Sequence, residues 1–544
     1  MKQSSLVAIA ISILPAAPIA AQSPAIRSGG VVNAASLAGR GLPNQGVAQG
    51  SQFAIFGTGI GPDEPVQAKA FPFPTTDGLG GVTIKVAAGG STVDAIMISV
   101  SANKVVAVLP STVPVGTGQV SLSYQGTAVN AEILIVKTNF GIFNRGDSGA
   151  GAAVLRNIAE DGSATENSLT SPARPGQRVS LRGTGLGPVA GNEAAGPITG
   201  DIAEDVEVWV AGKPANVTAK GRAADCCAGV DQVTFEVPQG VAGCYLPLAI
   251  RAGSVVSNFA TMAVSVAGGC PDALIDLETL KPGGNYSSGF IGLTRTSFAL
   301  DQFESVSEAG SAAFTRYRID DLLAFQSPFS APPIGSCTVF TFSDAIQPVS
   351  FTSQILDAGP ALTVTGPKGS RQLTKREGVY LAEFATTTLI PGVPLPVETY
   401  LDPGTYTVSG PGGEHVGAFS NTLIVGQSIN WANRSTVGTA DRNTVSRAAD
   451  LPITWTGPGD NDLVTITGVS PSETRATATF LCIERGSAGR FTVPSWVLSA
   501  LPASRNGFLS VASSLNPGTR LEASGLDFGQ VNWSSNSSRT IAYQ

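Results

Sequence analysis

Residues 50–62 read GSQFAIFGTGIGP and residues 176–188 read GQRVSLRGTGLGP. Both stretches place a Gly, six residues, then GTG, Ile or Leu, and GP, at an offset of 126 residues. The correspondence continues downstream. Val105 to Pro110 (VVAVLP) answers Val233 to Pro238 (VTFEVP), Gly116 answers Gly243, and Gly126 answers Gly253, at offsets of 127 or 128. Collinear matches with a slowly drifting offset are the mark of a duplicated module with small loop insertions.

Each copy reads as short strands. FAIF (53–56) and VSLR (179–182) are apolar or alternating runs stopped by a Gly cluster. VTIKV (82–86) and VEVWV (206–210) each run into a Gly turn. Later, VSLSY (120–124) meets AVNAEILIV (128–136) across QGT, and LPLAI (246–250) meets VVSNFATMAV (255–264) across AGS. Strands at this spacing with turn signals between them imply a two-sheet sandwich. The repeated glycines, Gly57, Gly59 and Gly61 in one copy and Gly183, Gly185 and Gly187 in the other, read as turn formers. They meet positive φ or close packing that a Cβ would obstruct. A phosphate loop needs a helix N-terminus behind it, and here Pro and loop follow.

The pattern resembles IPT/TIG immunoglobulin-like domains. VVNAAS (31–36), GTGIG, GIF (141–143), Asp161-Gly162 and PARPG (172–176) resemble a tandem pair found in uncharacterised exported bacterial proteins. The resemblance covers roughly residues 28–270. It implies an immunoglobulin-like fold and a role as spacer, binding module or cell-surface part, and it carries over no catalytic residue. The fold class expected is all-β: tandem immunoglobulin-like β-sandwiches at 28–137 and 138–270, then β-sandwich-like modules at 271–435 and 449–544.

Composition agrees. Of 544 residues 42 % are apolar and only 13 % charged, with 64 Gly and 36 Pro, a mixture that suits strands and tight turns and starves helices. The net charge of −7 comes with no basic stripe, which argues against nucleic acid and anionic membranes as partners. The chain opens like an export signal over residues 1–21: Lys2, the apolar run LVAIAISIL (6–14), Pro15, and small residues to a cleavage position after Ala21. No later run is long and apolar enough for a membrane span, so secretion, to the cell surface or the periplasm, is the expectation.

Six cysteines in an exported chain favour disulfides. With residues 232–237 running down, 244–250 runs up and 255–266 runs down, which puts Cys244 and Cys270 at one end and Cys226 and Cys227 at the other. A strand of that length spans roughly 20 Å, beyond disulfide reach. Cys244–Cys270 is therefore the expected pair. Cys226 and Cys227 either bond each other or pair elsewhere, and Cys337 with Cys482 is the remaining pairing.

The second half lacks the GTG signature but stays strand-like. CTVFTF (337–342), ALTVT (361–365), VYLAE (379–383) and GTYTVS (404–409) form one cluster; ITWT (453–456), LVTIT (463–467), ATATFLCIE (476–484) and FLSVA (508–512) form another. The polar stretch Asn433 to Ala448 reads as a linker between them, and RIDDLLA (318–324) as a short helix.

No catalytic set emerges. His415 is the only histidine, which rules out a multi-histidine metal site. GDSG (146–149) resembles the nucleophile motif of chymotrypsin-like proteases but lacks their histidine motif. Asp460-Asn461-Asp462 lacks the later Gly and Glu of an EF-hand. No cofactor is expected. Four of five tryptophans lie late, at Trp431, Trp455, Trp496 and Trp533, as core residues or as sugar-stacking faces. The expected function is non-enzymatic: a structural or adhesion component meeting protein or glycan at the cell surface. The alternatives are a carbohydrate-binding accessory protein and a hydrolase with its site in 271–544.

Overall fold

The computed structural model describes residues 23–202, 204–223, 227–270, 284–300, 303–318, 331–343, 353–389, 399–437 and 443–544. The export segment, Cys226, residues 319–324 of the expected short helix and the middle of the polar stretch lie outside the described residues. The protein is all-β. No helix among the described residues is long and apolar enough to cross a membrane.

The first copy is a sandwich of two five-stranded sheets. One sheet is built on Gln52–Thr58, which pairs with Ala25–Asn33 on one side and Lys104–Val108 on the other. The facing sheet is built on Gly116–Tyr124, between Thr127–Val136 and Val82–Ala88. The alternation of VTIKVAA puts Val82, Ile84 and Val86 inward, against Phe53, Ile55, Leu122 and Ile135. Each such buried side chain contributes about 1.5–3 kcal/mol of transfer free energy.

The second copy repeats this pairing: Arg178–Thr184 lies beside Asp231–Glu236, as Gln52–Thr58 lies beside Lys104–Val108. It differs in one strand. Where the first copy uses Ser91–Asp94 in one sheet and Ile96–Val100 in the other, the second uses a continuous strand, Lys213–Arg222. Its start pairs with Val206–Val210 and its end with Asp231–Glu236. Gly243–Ala252 pairs with Val206–Val210 and Ala260–Val264, so it lies in the sheet opposite Asp231–Glu236. Cys244 and Cys270 are disulfide-bonded, Cα–Cα 5.3 Å.

The second half departs from the division at 435 and 449. Its sheet runs continuously through strands from both stretches. Asn285–Leu300 pairs in parallel with Phe528–Tyr543, from Ser288 against Phe528 to Ala299 against Arg539. Ser336–Phe342 pairs with Thr477–Arg485, and the Cys337–Cys482 disulfide joins that pair. Two hydrophobic cores lie beneath this shared sheet. One gathers Tyr380, Tyr400, Tyr406 and Trp533; the other gathers Trp431, Trp455, Phe480 and Tyr543.

The expected linker is not free chain. Val437 and Val445 are buried in the second of these cores, and Arg434 bonds Ser297, Ser537 and Glu304. The polar residues that suggested a linker satisfy polar positions on the underside of the sheet. Between the cores, Glu308 is 1 % exposed. Its carboxylate accepts from Arg295 Nε at 2.7 Å and from the Tyr400 and Leu401 amides at 2.5 and 2.9 Å. Arg295 also donates to Leu401 O and Ser428 Oγ, both at 3.0 Å.

Two outcomes follow. Replacing both Cys337 and Cys482 by Ala should lower the guanidinium-unfolding free energy by about 2–5 kcal/mol, because the bond spans 145 residues of chain; a change near zero would show that the ladder holds the two stretches without it. Burial pushes the Tyr406 phenol up to about 12, while its hydroxyl donates to Tyr400 O at 2.6 Å. A group with a raised folded pKa lends stability that is complete below its unfolded value near 10 and is lost as pH rises through about 12. Phenolate absorbance and unfolding followed together over that range should move in step, and Tyr406→Phe should flatten this part of the pH dependence.

Candidate functional site

The three longest strands, Asn285–Leu300, Phe303–Arg318 and Phe528–Tyr543, have 16 residues each and lie side by side. Their inward positions, Ile291, Leu293, Ala312, Phe314, Val531 and Trp533, are buried. Strand alternation sends the intervening residues to the opposite face. There, Phe290 lies between Gln530 and Ala313, and Gly292 between Asn532 and Ser311. Leu381, on Val379–Leu389, lies beyond Ser311.

Because Gly292, Ser311 and Ala313 are small, this part of the face dips into a groove of about 410 Å³. Phe290, Ile291, Val379 and Leu381 are the large apolar groups of its lining, Ile291 from its buried position; Ser311, Gln530 and Asn532 supply polar groups. Phe290 is 49 % and Leu381 43 % exposed, and Ile355, 53 % exposed, stands on the adjoining strand Ser353–Ile355. Phe528 supports Phe290 from the side, ring centroids 5.7 Å apart. No lining residue carries a charge.

Further along the same face the polar side chains pair with one another. Thr294 and Ser534 hydroxyls are 3.1 Å apart, and Ser510 donates to Asn536 Oδ1 at 2.7 Å. In the groove they do not. Asn532 makes one long bond, Nδ2 to Leu515 O at 3.5 Å, and its Oδ1 has no partner.

Of the repeated glycines, Gly183 and Gly185 sit at the junction between the first two sandwiches, and Gly57 and Gly61 lie within the first. Gly185 has φ +111, and a Cβ there would stand 2.1 Å from Asn139 O. At Gly183 a Cβ would meet the Phe140 ring. Gly59 and Gly187 also have positive φ, while Gly57 and Gly61 face backbone oxygens of Ala25 and Ser101.

Between the Gly183 and Gly185 turn residues, Thr184 Oγ1 accepts from the Gln52 amide at 2.8 Å and donates to Gly229 O. Asn33 donates to Asn139 O and Thr184 O. Arg222, buried, pairs with Asp231 and donates to Gly50 O at 2.7 Å and Gly187 O at 3.1 Å. Asp231 accepts from the Gly185 and Leu186 amides, and Glu193 from the Ser111 amide at 2.8 Å. The glycines of the second copy thus sit where two modules join, those of the first copy lie inside one module, and none of them lines the groove.

The chemical candidates are tied up similarly. His415 Nδ1 accepts from the Asp357 amide at 3.2 Å. Lys375 beside Asp357, 2.5 Å away, holds that carboxyl well below the usual carboxylate range. This cluster latches turns, and among the described residues no hydroxyl or thiol is bonded to the imidazole. Ser148 of GDSG bonds Asn144 and Ala150 O. Asp462 caps a turn by accepting from the Gly459 amide at 2.6 Å. Among the described residues no three His, Cys, Asp or Glu side chains gather as a metal site.

Trp431, Trp455 and Trp533 are buried in cores. Trp496 stacks on Trp209 at 4.6 Å and on Phe259 at 5.8 Å, docking the C-terminal half on the second sandwich. The three core rings are closed to sugar stacking.

No protein-family model matches the chain, and no curated protein does. Solved structures with similar strand arrangements include the I9–I11 tandem of titin, at 7 % identity over 70 % of this chain and 93 % of that one, TM-score 0.13. A structural-genomics protein of unknown function from Bacteroides thetaiotaomicron matches at 12 % identity over 56 % of this chain and 59 % of its own, TM-score 0.15. Invasin, a bacterial integrin-binding protein, matches at 10 % over 92 % and 78 %, TM-score 0.12.

Arg222→Met should cost about 3–5 kcal/mol in denaturant unfolding, because it strands the buried Asp231 carboxylate. A loss below about 1 kcal/mol, the range of exposed ion pairs, would contradict this role.

Proposed function

We propose that this chain is an exported, non-enzymatic structural or adhesion component that presents a binding face at the cell exterior. The observation that carries the reading is the way successive modules are joined. Arg222, Thr184 and Asn33 bind the first sandwich to the second, and Trp496 stacked on Trp209 binds the second to the C-terminal half. Junctions with buried polar and aromatic contacts suit a stiff array that holds a surface at a fixed distance, whereas a catalytic module needs no such train behind it.

Two disulfides, Cys244–Cys270 and Cys337–Cys482, fit an oxidising compartment. The signal-like residues 1–21 fit the same route. The low charge and the uncharged groove suit neutral protein or glycan partners at that surface.

Epitope-tagged protein in the cells that make it should be recovered from the outer surface or the medium, with the first residues removed and both disulfides formed. Recovery in reduced form from the cytoplasm would contradict the reading.

A further inference from the structure

We propose that the groove around Phe290, Gly292 and Leu381 is a binding site for a neutral oligosaccharide. The inference rests on the extracellular binding role proposed above and names its ligand class and its place. Three observations carry it.

The first is the wall. Phe290 is 49 % exposed in the middle of a sheet face, with the Phe528 ring tilted against it, centroids 5.7 Å apart. Large exposed apolar side chains are usually scattered, yet Phe290 and Leu381 line one groove and Ile355 stands on the adjoining strand opposite Thr315. Such a surface offers a flat apolar face to the C–H side of a sugar ring.

The second is the unspent polar capacity beside that wall. Elsewhere on the face hydroxyls and amides pair with each other, as Thr294 does with Ser534 and Ser510 with Asn536. In the groove the Asn532 amide is held by one 3.5 Å bond. No described residue pairs with the Gln530 side-chain amide, which projects beside Phe290 and near Gly518. An apolar wall next to unengaged neutral donors and acceptors matches a ligand with one C–H face and a hydroxyl-bearing edge.

The third is charge. The lining holds no Lys, Arg, Asp or Glu. The nearest cations on this face, Arg376 opposite Val379 and Arg520 opposite Gln530, stand one strand outside the lining, so a charged group set into the groove itself would lose hydration with no counter-charge among the residues it touches. A neutral ligand has no such cost, and a saccharide, with one C–H face and a hydroxyl-bearing edge, answers both the Phe290 wall and the under-used amides of Gln530 and Asn532. Gly292 keeps the groove open: a Cβ there would meet nothing closer than Ser311 Oγ at 3.6 Å. A side chain at this position therefore fits the strand and fills the site.

The test is calorimetric titration of the full chain with cellohexaose, xylohexaose and chitohexaose, each alone. At least one should bind at about 1 mM or tighter. Phe290→Ala and Gly292→Leu should each weaken that binding roughly tenfold or more while thermal unfolding stays close to the parent's. Val469→Ala, on the same sheet but off the groove, should leave it unchanged. Three outcomes overturn the proposal: no binding by any of the three at about 10 mM, binding unaltered by both groove variants, or binding of an apolar dye that Phe290→Ala abolishes while no saccharide competes. Recovery of Phe290→Ala at the cell exterior separates the two readings, since loss of saccharide binding there leaves the structural role standing.

Discussion

The parallel ladder between Asn285–Leu300 and Phe528–Tyr543 is the constraint on which the second half depends. Parallel strands need a long crossover, and here the crossover is almost the whole C-terminal half. The strands that pair lie about 240 residues apart, as in the Ser287 amide bond to the Asp527 carboxylate. Once this ladder forms, the two cores on its underside share a roof. The groove on its upper side takes residues from both ends of that half. Loss of the ladder would separate Gln530 and Asn532 from Phe290 and Gly292.

Beneath the roof the cores are divided by charge and hydroxyl groups. Glu308 and Arg295 fix the backbone at Tyr400 and Leu401, and Arg434 reaches Glu304 and Ser537. Buried charges are tolerated there because nearly every lone pair and N–H has a partner. At the junction the Arg222 guanidinium reaches Asp231, Gly50 O and Gly187 O, while its Nε and Asn139 Oδ1 stay without a partner among the described residues. In both places a polar group costly to bury is made specific by backbone carbonyls and amides from a distant part of the chain, so its geometry sets how the parts sit together.

The first two sandwiches were legible because their signals are local. Glycine turns, hairpins such as the one across QGT at 125–127 and the alternation of VTIKV each need only a few residues. The interlocked second half was not. Its longest strands, including Phe528–Tyr543 (FGQVNWSSNSSRTIAY), place Ser535 and Ser537 at inward positions, where a strand reading looks for Val or Ile. Small polar residues fit because Ile429 N and Arg434 lie beneath them, a long-range fact with no local signature. The Asn433–Ala448 stretch looked like a linker for the same reason. The groove escaped sequence reading too, since its floor of Gly292, Ser311 and Ala313 means something only when three strands are in register. The late tryptophans read as core residues or as sugar-stacking faces; three lie in cores and Trp496 at a module junction, and an exposed phenylalanine stands on the open face.

Native-state hydrogen exchange of the amides in 288–299 and 528–539 tests the shared ladder most directly. If the ladder fuses the second half, these amides exchange only through the opening that also releases Ile466 and Phe480 in the neighbouring core, with the same free energy and the same denaturant dependence. If the 528–539 amides instead exchange through a separate, lower-energy opening while Ile466 and Phe480 stay protected, the two stretches are independent modules and the account of the groove fails with the ladder.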